Sequence, residues 1–393
     1  MRARSVATVA AALGLFVIGT TLPASAVPTG PEHTLAIEAP GGTLVTYGDA
    51  VHITGKLTPG AVGEVVNLRD PNARILATTK TGRFGKFAID YAPRVPIYVH
   101  AEWDGLRSNA IQVKARPRVA VAISNVLLFG TATVVGSVAP WDPGAGVAVT
   151  VLRNGAKALE RTVRLSGSSS FRFQLPISQP GTFTVRAVYD TPKSLKGEAV
   201  SAPVATPLPS LSNGSGGTTV LLLERRLQQL HYLIRNVNDI YDGVTGDAVM
   251  AFRKVQGLTR TWTTDENVWR RLAAPRVPHA RDGGSGFHVE IDQTRQVIYT
   301  VQDGSITNIL HTSTGKPSTP TRDGTFSVHR KVNGYSIGHL YYPSYFDGNR
   351  AVHGWTEVPE YNASHGCARI PYWDAKFMYD RMPIGTKVIV YHS

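Results

Sequence analysis

The sequence predicts a multidomain, mainly β protein in which two tandem β-sandwiches and a small three-helix unit precede a β-rich C-terminal domain. Three observations carry this. Residues 33–203 consist of short runs rich in β-branched and aromatic residues, broken repeatedly by Gly and Pro. Helical spacing of apolar residues begins near Thr218, after a Ser/Gly-rich stretch, and strand-like alternation returns at Phe287. With 393 residues, 42% of them hydrophobic, each segment can bury a core of its own. A single cysteine excludes internal disulfides, so those cores must hold the domains together.

Residues 1–26 have the build of a cleavable export signal. Arg2 and Arg4 precede an apolar stretch over 6–18, and Ala24-Ser25-Ala26 forms a small-residue cleavage site before Val27. The apolar stretch is short for a membrane span, although retention as an N-terminal anchor is the alternative. No later segment is apolar enough to span a bilayer, so the processed chain is not expected to be an integral membrane protein. Its net charge is +13, or +11 without Arg2 and Arg4. That excess favours polyanionic partners, or simply keeps the surface soluble. Nucleic acid is not expected for an exported chain without zinc-finger spacing or a basic-aromatic repeat, whereas anionic wall polymers suit the compartment.

Within 33–116 the expected strands include Val51-His52-Ile53-Thr54, Val65-Val66-Asn67-Leu68, Phe87-Ala88-Ile89-Asp90 and Ile97-Tyr98-Val99-His100. Residues 117–203 repeat the order. Thr133-Val134-Val135-Gly136 answers Ile53-Thr54-Gly55, Val147 to Leu152 answers Val65 to Leu68, and the runs from Phe171 and Phe183 answer those from Phe87 and Ile97. The pair resembles tandem immunoglobulin-like domains without the cysteine pair of antibody domains. Asp70, Glu102 and Asp104 read as solvated carboxylates, and both domains as spacers.

Residues 204–217 read as a flexible linker. Over 218–273, Val220, Leu223, Leu227 and Leu230 share one helical face, Val249, Phe252 and Val255 a second, and Thr263 with Glu266 suggests a capping box before Val268 and Leu272. Leu227-Gln228-Gln229-Leu230, Tyr241-Asp242-Gly243, Thr245, Ala248, Val249, Phe252 and Gln256-Gly257-Leu258 resemble the peptidoglycan-binding family of three-helix domains, which implies glycan binding. A second linker spans 274–286.

The C-terminal domain, 287–393, holds the lone cysteine in Ser364-His365-Gly366-Cys367-Ala368-Arg369, after an earlier His353-Gly354. Attack of a cysteine on an acyl carbon needs a thiolate, a base and oxyanion donors. His353 and His365 are candidate bases, the Gly366 and Cys367 amides candidate donors, and Arg369 a candidate partner for a substrate carboxylate. A zinc site would want three or four protein ligands, and neither a second thiol nor a metalloprotease motif is present, so no metal is expected. No cofactor is expected either. The bland alternative for Cys367 is a buried small hydrophobe. His311, His329 and His339 have no motif around them and read as packing or surface residues.

These residues, with Ser313-Thr314-Gly315, Pro320-Thr321 and Gly324-Thr325-Phe326, resemble the L,D-transpeptidase catalytic family from about Phe287 to Tyr391. The resemblance implies Cys367 as nucleophile and His353 as general base, with the Gly354 carbonyl orienting the imidazole. It further implies that His365 organises the site and that Ser364 and Gly366 shape the loop and oxyanion pocket. Arg369 stands where many members carry Asn, which bears on substrate preference. The implied reaction joins a tetrapeptide stem of peptidoglycan to Cys367 as a thioester, expels D-alanine, and passes the acyl group to an amine of a neighbouring stem in a 3→3 cross-link. Residues 333–350, rich in Tyr and Gly, are a candidate flap, with Tyr341 and Tyr342 as lining candidates. A papain-like peptidase is disfavoured because only His392 follows the cysteine. A carboxypeptidase on the same fold, with water as acceptor, stays open, as does an inactive wall-binding scaffold.

Overall fold

A computed structural model describes residues 32–393 apart from 166 and 193–194; the expected signal, 1–26, lies outside the described residues. The chain divides into two compact units, 1–114 and 115–393.

The first unit is a β-sandwich. One sheet orders Thr34–Glu38, Val51–Thr58 and Lys86–Tyr91; the other places Ile97–Trp103 and Val65–Arg69 at its centre. Alternating residues such as Ile53, Leu57, Val66, Leu68 and Val99 are fully buried between the sheets. The second unit begins with the same architecture: Arg118–Ser124, Thr131–Ala139 and Ser170–Pro176 face a sheet built on Gly146–Arg153 and Thr182–Tyr189. The repeat extends to one contact. Gly55 pairs with Phe87 in the first sandwich and Gly136 with Phe171 in the second, and a Cβ at these glycines would lie only 2.1 Å and 2.2 Å from a ring carbon of the partner. Each glycine makes room for the aromatic that covers it.

Two readings of carboxylates and linkers change. Asp70 is buried, and its Oδ1 accepts the Asn72 and Arg74 amides at 2.9 Å each, closing a turn; a short side chain beside its own turn finds amides in place of water. Residues 204–217 are docked: Leu211 is buried, the Pro209 carbonyl accepts from Trp269 Nε1 at 2.7 Å, and Thr264 Oγ1 meets the Leu211 amide at 2.8 Å. Composition sets chain stiffness but not whether a single leucine finds a pocket.

Three helices follow: α1 (Thr218–Gln229), α2 (Gly243–Gln256) and α3 (Glu266–Ala273). Their buried faces carry Val220, Leu223 and Leu227, then Val249, Phe252 and Val255, then Val268 and Leu272. The start of α3 differs from the expected Thr263–Glu266 box. Asp265 is the N-cap, its carboxylate accepting the Val268 amide, while Thr264 is spent on the docked segment.

The C-terminal domain has two sheets. Five strands run in the order Ser305–His311, Val297–Gln302, Phe287–Asp292, Lys387–Tyr391, Gly324–Ser327. The second sheet orders Arg330–Lys331, Tyr341–Asp347, Arg350–Trp355 and Ala368–Pro371, and α4 (Ala375–Arg381) packs on it. Only residues 333–340 of the expected flap form an exposed loop; the remainder is largely strand, with residues 343–347 buried. Among the described residues no helix is long and apolar enough to cross a membrane.

Lys254 fixes the helical module to this domain. It projects from α2 into the five-stranded sheet, where Nζ meets the Gln296 carbonyl at 3.0 Å, the Thr312 carbonyl at 2.9 Å and His311 Nδ1 at 2.7 Å. His311 Nε2 faces the Val358 carbonyl at 2.8 Å and must donate to it, so Nδ1 is an acceptor. Burial pushes both groups well below their ordinary pKa values, but three acceptors for three protons oppose that at Lys254.

Candidate active site

The strands carrying His353 and Arg369 are paired in parallel, with His353 opposite Arg369 and Val352 opposite Ala368. Parallel partners project to the same side, and residues two apart share a face. Cys367, two positions before Arg369, therefore leaves the chain on the face of His353. The Ala351 amide donates to Cys367 Sγ at 3.4 Å, consistent with that register.

His353 is 2% exposed, and its Nδ1 lies 2.9 Å from the Gly354 carbonyl. A carbonyl only accepts, so Nδ1 carries the proton and Nε2 is the free base in the neutral ring. Burial lowers the His353 pKa to about 4, the Gly354 hydrogen bond opposing this and the Arg369 charge adding to it. Burial also raises the Cys367 thiol, against the Ala351 amide and the charges of Arg369 and Arg350. The resting pair is thus neutral thiol and neutral imidazole.

Glycine is required twice by crowding or conformation. Gly354 packs under α4, where a Cβ would lie 2.6 Å from that of Ala375. Gly366 has φ +113°, outside the range of ordinary side chains, and a Cβ there would lie 3.0 Å from Arg350 Nε. Ser364 is buried; its hydroxyl donates to the Cys367 carbonyl at 2.5 Å and accepts the Gly366 amide at 3.1 Å. That last bond corrects one expectation: the Gly366 amide is used within the loop, which leaves the Cys367 amide as the backbone oxyanion candidate.

The other candidates are dispersed. His365 is exposed, with Nε2 3.3 Å from Lys316 Nζ. Arg369 is held by two backbone bonds to Ser313, and its guanidinium lies 5.3 Å from the Trp355 ring centre. Tyr342 turns toward α4, edge-on to Tyr379 at 5.2 Å, whereas Tyr341 stacks on Tyr372 at 3.9 Å and lines a cavity of about 120 Å³ beside Gly354. Of the two expected tyrosines it is Tyr341, together with Tyr335 and Tyr372, that lines the cavity, while the ring of Tyr342, at a positive φ, faces Tyr379.

The sequence reading missed Arg350. Its Nη1 donates to Asp347 Oδ2 at 3.0 Å, Asp347 is also paired with Arg322, and Arg350 Nε is buried without a partner. A lone Arg three residues before His353 carries no motif; only folding brings it to Gly366. Among the described residues no cluster of three or more His, Cys, Asp or Glu is arranged for a metal ion.

A cysteine and a neutral, buried histidine on one sheet face, with a cation nearby, is an arrangement capable of thiol acyl transfer. Residues 286–390 match the family model of the L,D-transpeptidase catalytic domain, and 216–272 match that of the putative peptidoglycan binding domain. Among solved structures, the L,D-transpeptidase from Xylanimonas cellulosilytica is 34% identical over 48% of this chain and 100% of that one, with a TM-score of 0.44. An L,D-transpeptidase from Stackebrandtia nassauensis is 23% identical over 48% and 97%, with a TM-score of 0.30. A mutant L,D-transpeptidase of Enterococcus faecium is 25% identical over 28% and 50%, with a TM-score of 0.25. No curated protein sequence matches significantly. By its catalytic-domain match and its identity across the whole Xylanimonas chain, the protein belongs to the L,D-transpeptidase family.

Proposed function

We propose that the protein is an exported peptidoglycan L,D-transpeptidase with Cys367 as nucleophile and His353 as general base. The observation that carries this is the parallel register that sets Cys367 and His353 on one face while the Gly354 carbonyl fixes the imidazole tautomer. His353 Nε2 takes the thiol proton as Sγ attacks the carbonyl of the third stem residue, a diamino acid. The oxyanion forms beside the Cys367 amide, and Arg350 and Arg369 supply positive potential. Collapse breaks the peptide bond, His353 protonates the departing D-alanine amine, and a thioester remains. An amine of a second stem then attacks, loses its proton to His353 and restores the thiol. Ser364 and Gly366 shape the loop, and His365 with Lys316 lies at its exposed edge.

The substrate places this chemistry outside the membrane, where the signal-like 1–26 and the basic surface would direct the chain to the wall. Incubation with purified disaccharide-tetrapeptide, followed by mass spectrometry, tests the reading. A cross-linked dimer with loss of D-alanine is expected. Tripeptide alone would indicate hydrolysis, and a Cys367→Ala variant indistinguishable from the parent would overturn both.

A further inference from the structure

The helical module and the catalytic domain form a cleft of about 260 Å³ that the cysteine chemistry leaves unused. Three indoles line it: Trp262, between α2 and α3; Trp355, at the end of the His353 strand; and Trp373, just before α4. Trp262 and Trp373 remain 38% and 42% exposed, a large rigid apolar area to leave facing water. One carboxyl lies among them. Asp247, on α2, accepts from Trp262 Nε1 through Oδ1 at 2.8 Å, which leaves Oδ2 for a ligand.

The cleft is a fixed feature of the fold. Besides Lys254, Arg235 donates to the Trp373 carbonyl at 2.7 Å, and Arg260 donates to the carbonyls of Glu360 at 2.8 Å and Thr294 at 3.1 Å. It also leads to the candidate active site. Trp355, Thr356 and Tyr372 line both this cleft and the smaller cavity beside Gly354. A ligand following the two would run from the helical module to the His353 strand.

The lining chemistry selects among ligands. It contains no Lys or Arg that could hold the carboxylates of a stem peptide. An acceptor amine must reach Cys367 to react, which the seam does not provide. Burial moreover raises the Asp247 carboxyl to about 7, its Trp262 bond and Lys254 opposing, so it is a poor standing counter-ion. A neutral pyranose fits: C–H faces stack on the indoles, and a hydroxyl or acetamido N–H donates to Asp247.

We propose that this seam is a sugar subsite for the amino-sugar chain of peptidoglycan, holding the glycan while its stem enters the catalytic groove. The substrate class rests on the function proposed above. Titration of the full chain with the tetramer of N-acetylglucosamine, followed by tryptophan fluorescence and calorimetry, tests it without any acyl transfer. Saturable binding is expected, at least tenfold weaker in Trp373→Ala and partly restored in Trp373→Phe, with unchanged thermal unfolding. Absence of saturable binding, or equal binding by Trp373→Ala, would overturn the proposal, as would binding of a sugar-free stem peptide in place of the oligosaccharide. Such a failure would leave the Cys367 chemistry untouched, and an inert Cys367 would not alter the titration.

Discussion

His353 and Cys367 show how burial sets the protonation of a reacting pair. Both are driven toward their neutral forms, so thiolate is made during the reaction and not stored beforehand. With a folded pKa near 4, below the usual imidazole value of about 6.5, His353 stays an available base on acidification until pH approaches 4. The acid limb of kcat/KM should therefore fall between about pH 5 and 4; a limb at 6–7 would mean that His353 is not the titrating base. Arg350 belongs to the same scale. Its charge favours the thiolate, so Arg350→Gln should slow alkylation of Cys367 by roughly three- to tenfold at fixed pH, with the pH profile displaced upward. An unchanged profile would reduce Arg350 to a loop support. The motif cysteine and histidines were legible because they sit close together in the sequence. Arg350 was not, because Gly366 reaches it only through the parallel pairing of two strands.

At the scale of elements, what repeats was readable and what interlocks was not. The matching strand order of the two sandwiches followed from period-two alternation, and Gly55 and Gly136 stand at equivalent positions opposite Phe87 and Phe171. Substitution Gly136→Ala should cost about 1–3 kcal/mol by overpacking, measurable as a lower denaturation midpoint. The helices were visible in their apolar faces, although the α3 cap is Asp265 and not Thr263, whose carbonyl instead accepts from Arg253 Nε at 2.8 Å. Lys254 gave no sequence signal, since its partner His311 lies 57 residues away. Lys254→Met would take the buried donor from His311 Nδ1 and the Thr312 carbonyl, while the Gln296 carbonyl keeps the Thr312 amide at 3.2 Å, a loss of about 2–3 kcal/mol in thermal or denaturant unfolding. Catalysis should suffer too, because Thr312, whose carbonyl Lys254 holds, donates through Oγ1 to the Arg369 carbonyl at 2.7 Å.

For the molecule as a whole, composition and pattern indicated separate modules, yet one apolar core runs from the second sandwich through the three helices to Val297, Tyr299, Val301 and Ile309 of the catalytic domain. Side chains shared across such a seam carry no periodicity that would reveal their partners. Excision of 218–273 should therefore destabilise the catalytic domain and lower its yield of soluble protein, whereas a beads-on-a-string arrangement would leave it intact. The central claim concerns one bond in this assembly, the thioester at Cys367. Intact-protein mass spectrometry after brief exposure to a tetrapeptide donor, with peptide mapping and hydroxylamine treatment, tests it most directly. The account predicts a hydroxylamine-labile acyl-tripeptide adduct on Cys367 that Cys367→Ala lacks and His353→Ala strongly diminishes; turnover of the donor with no adduct on Cys367, or with Cys367→Ala fully active, would contradict it.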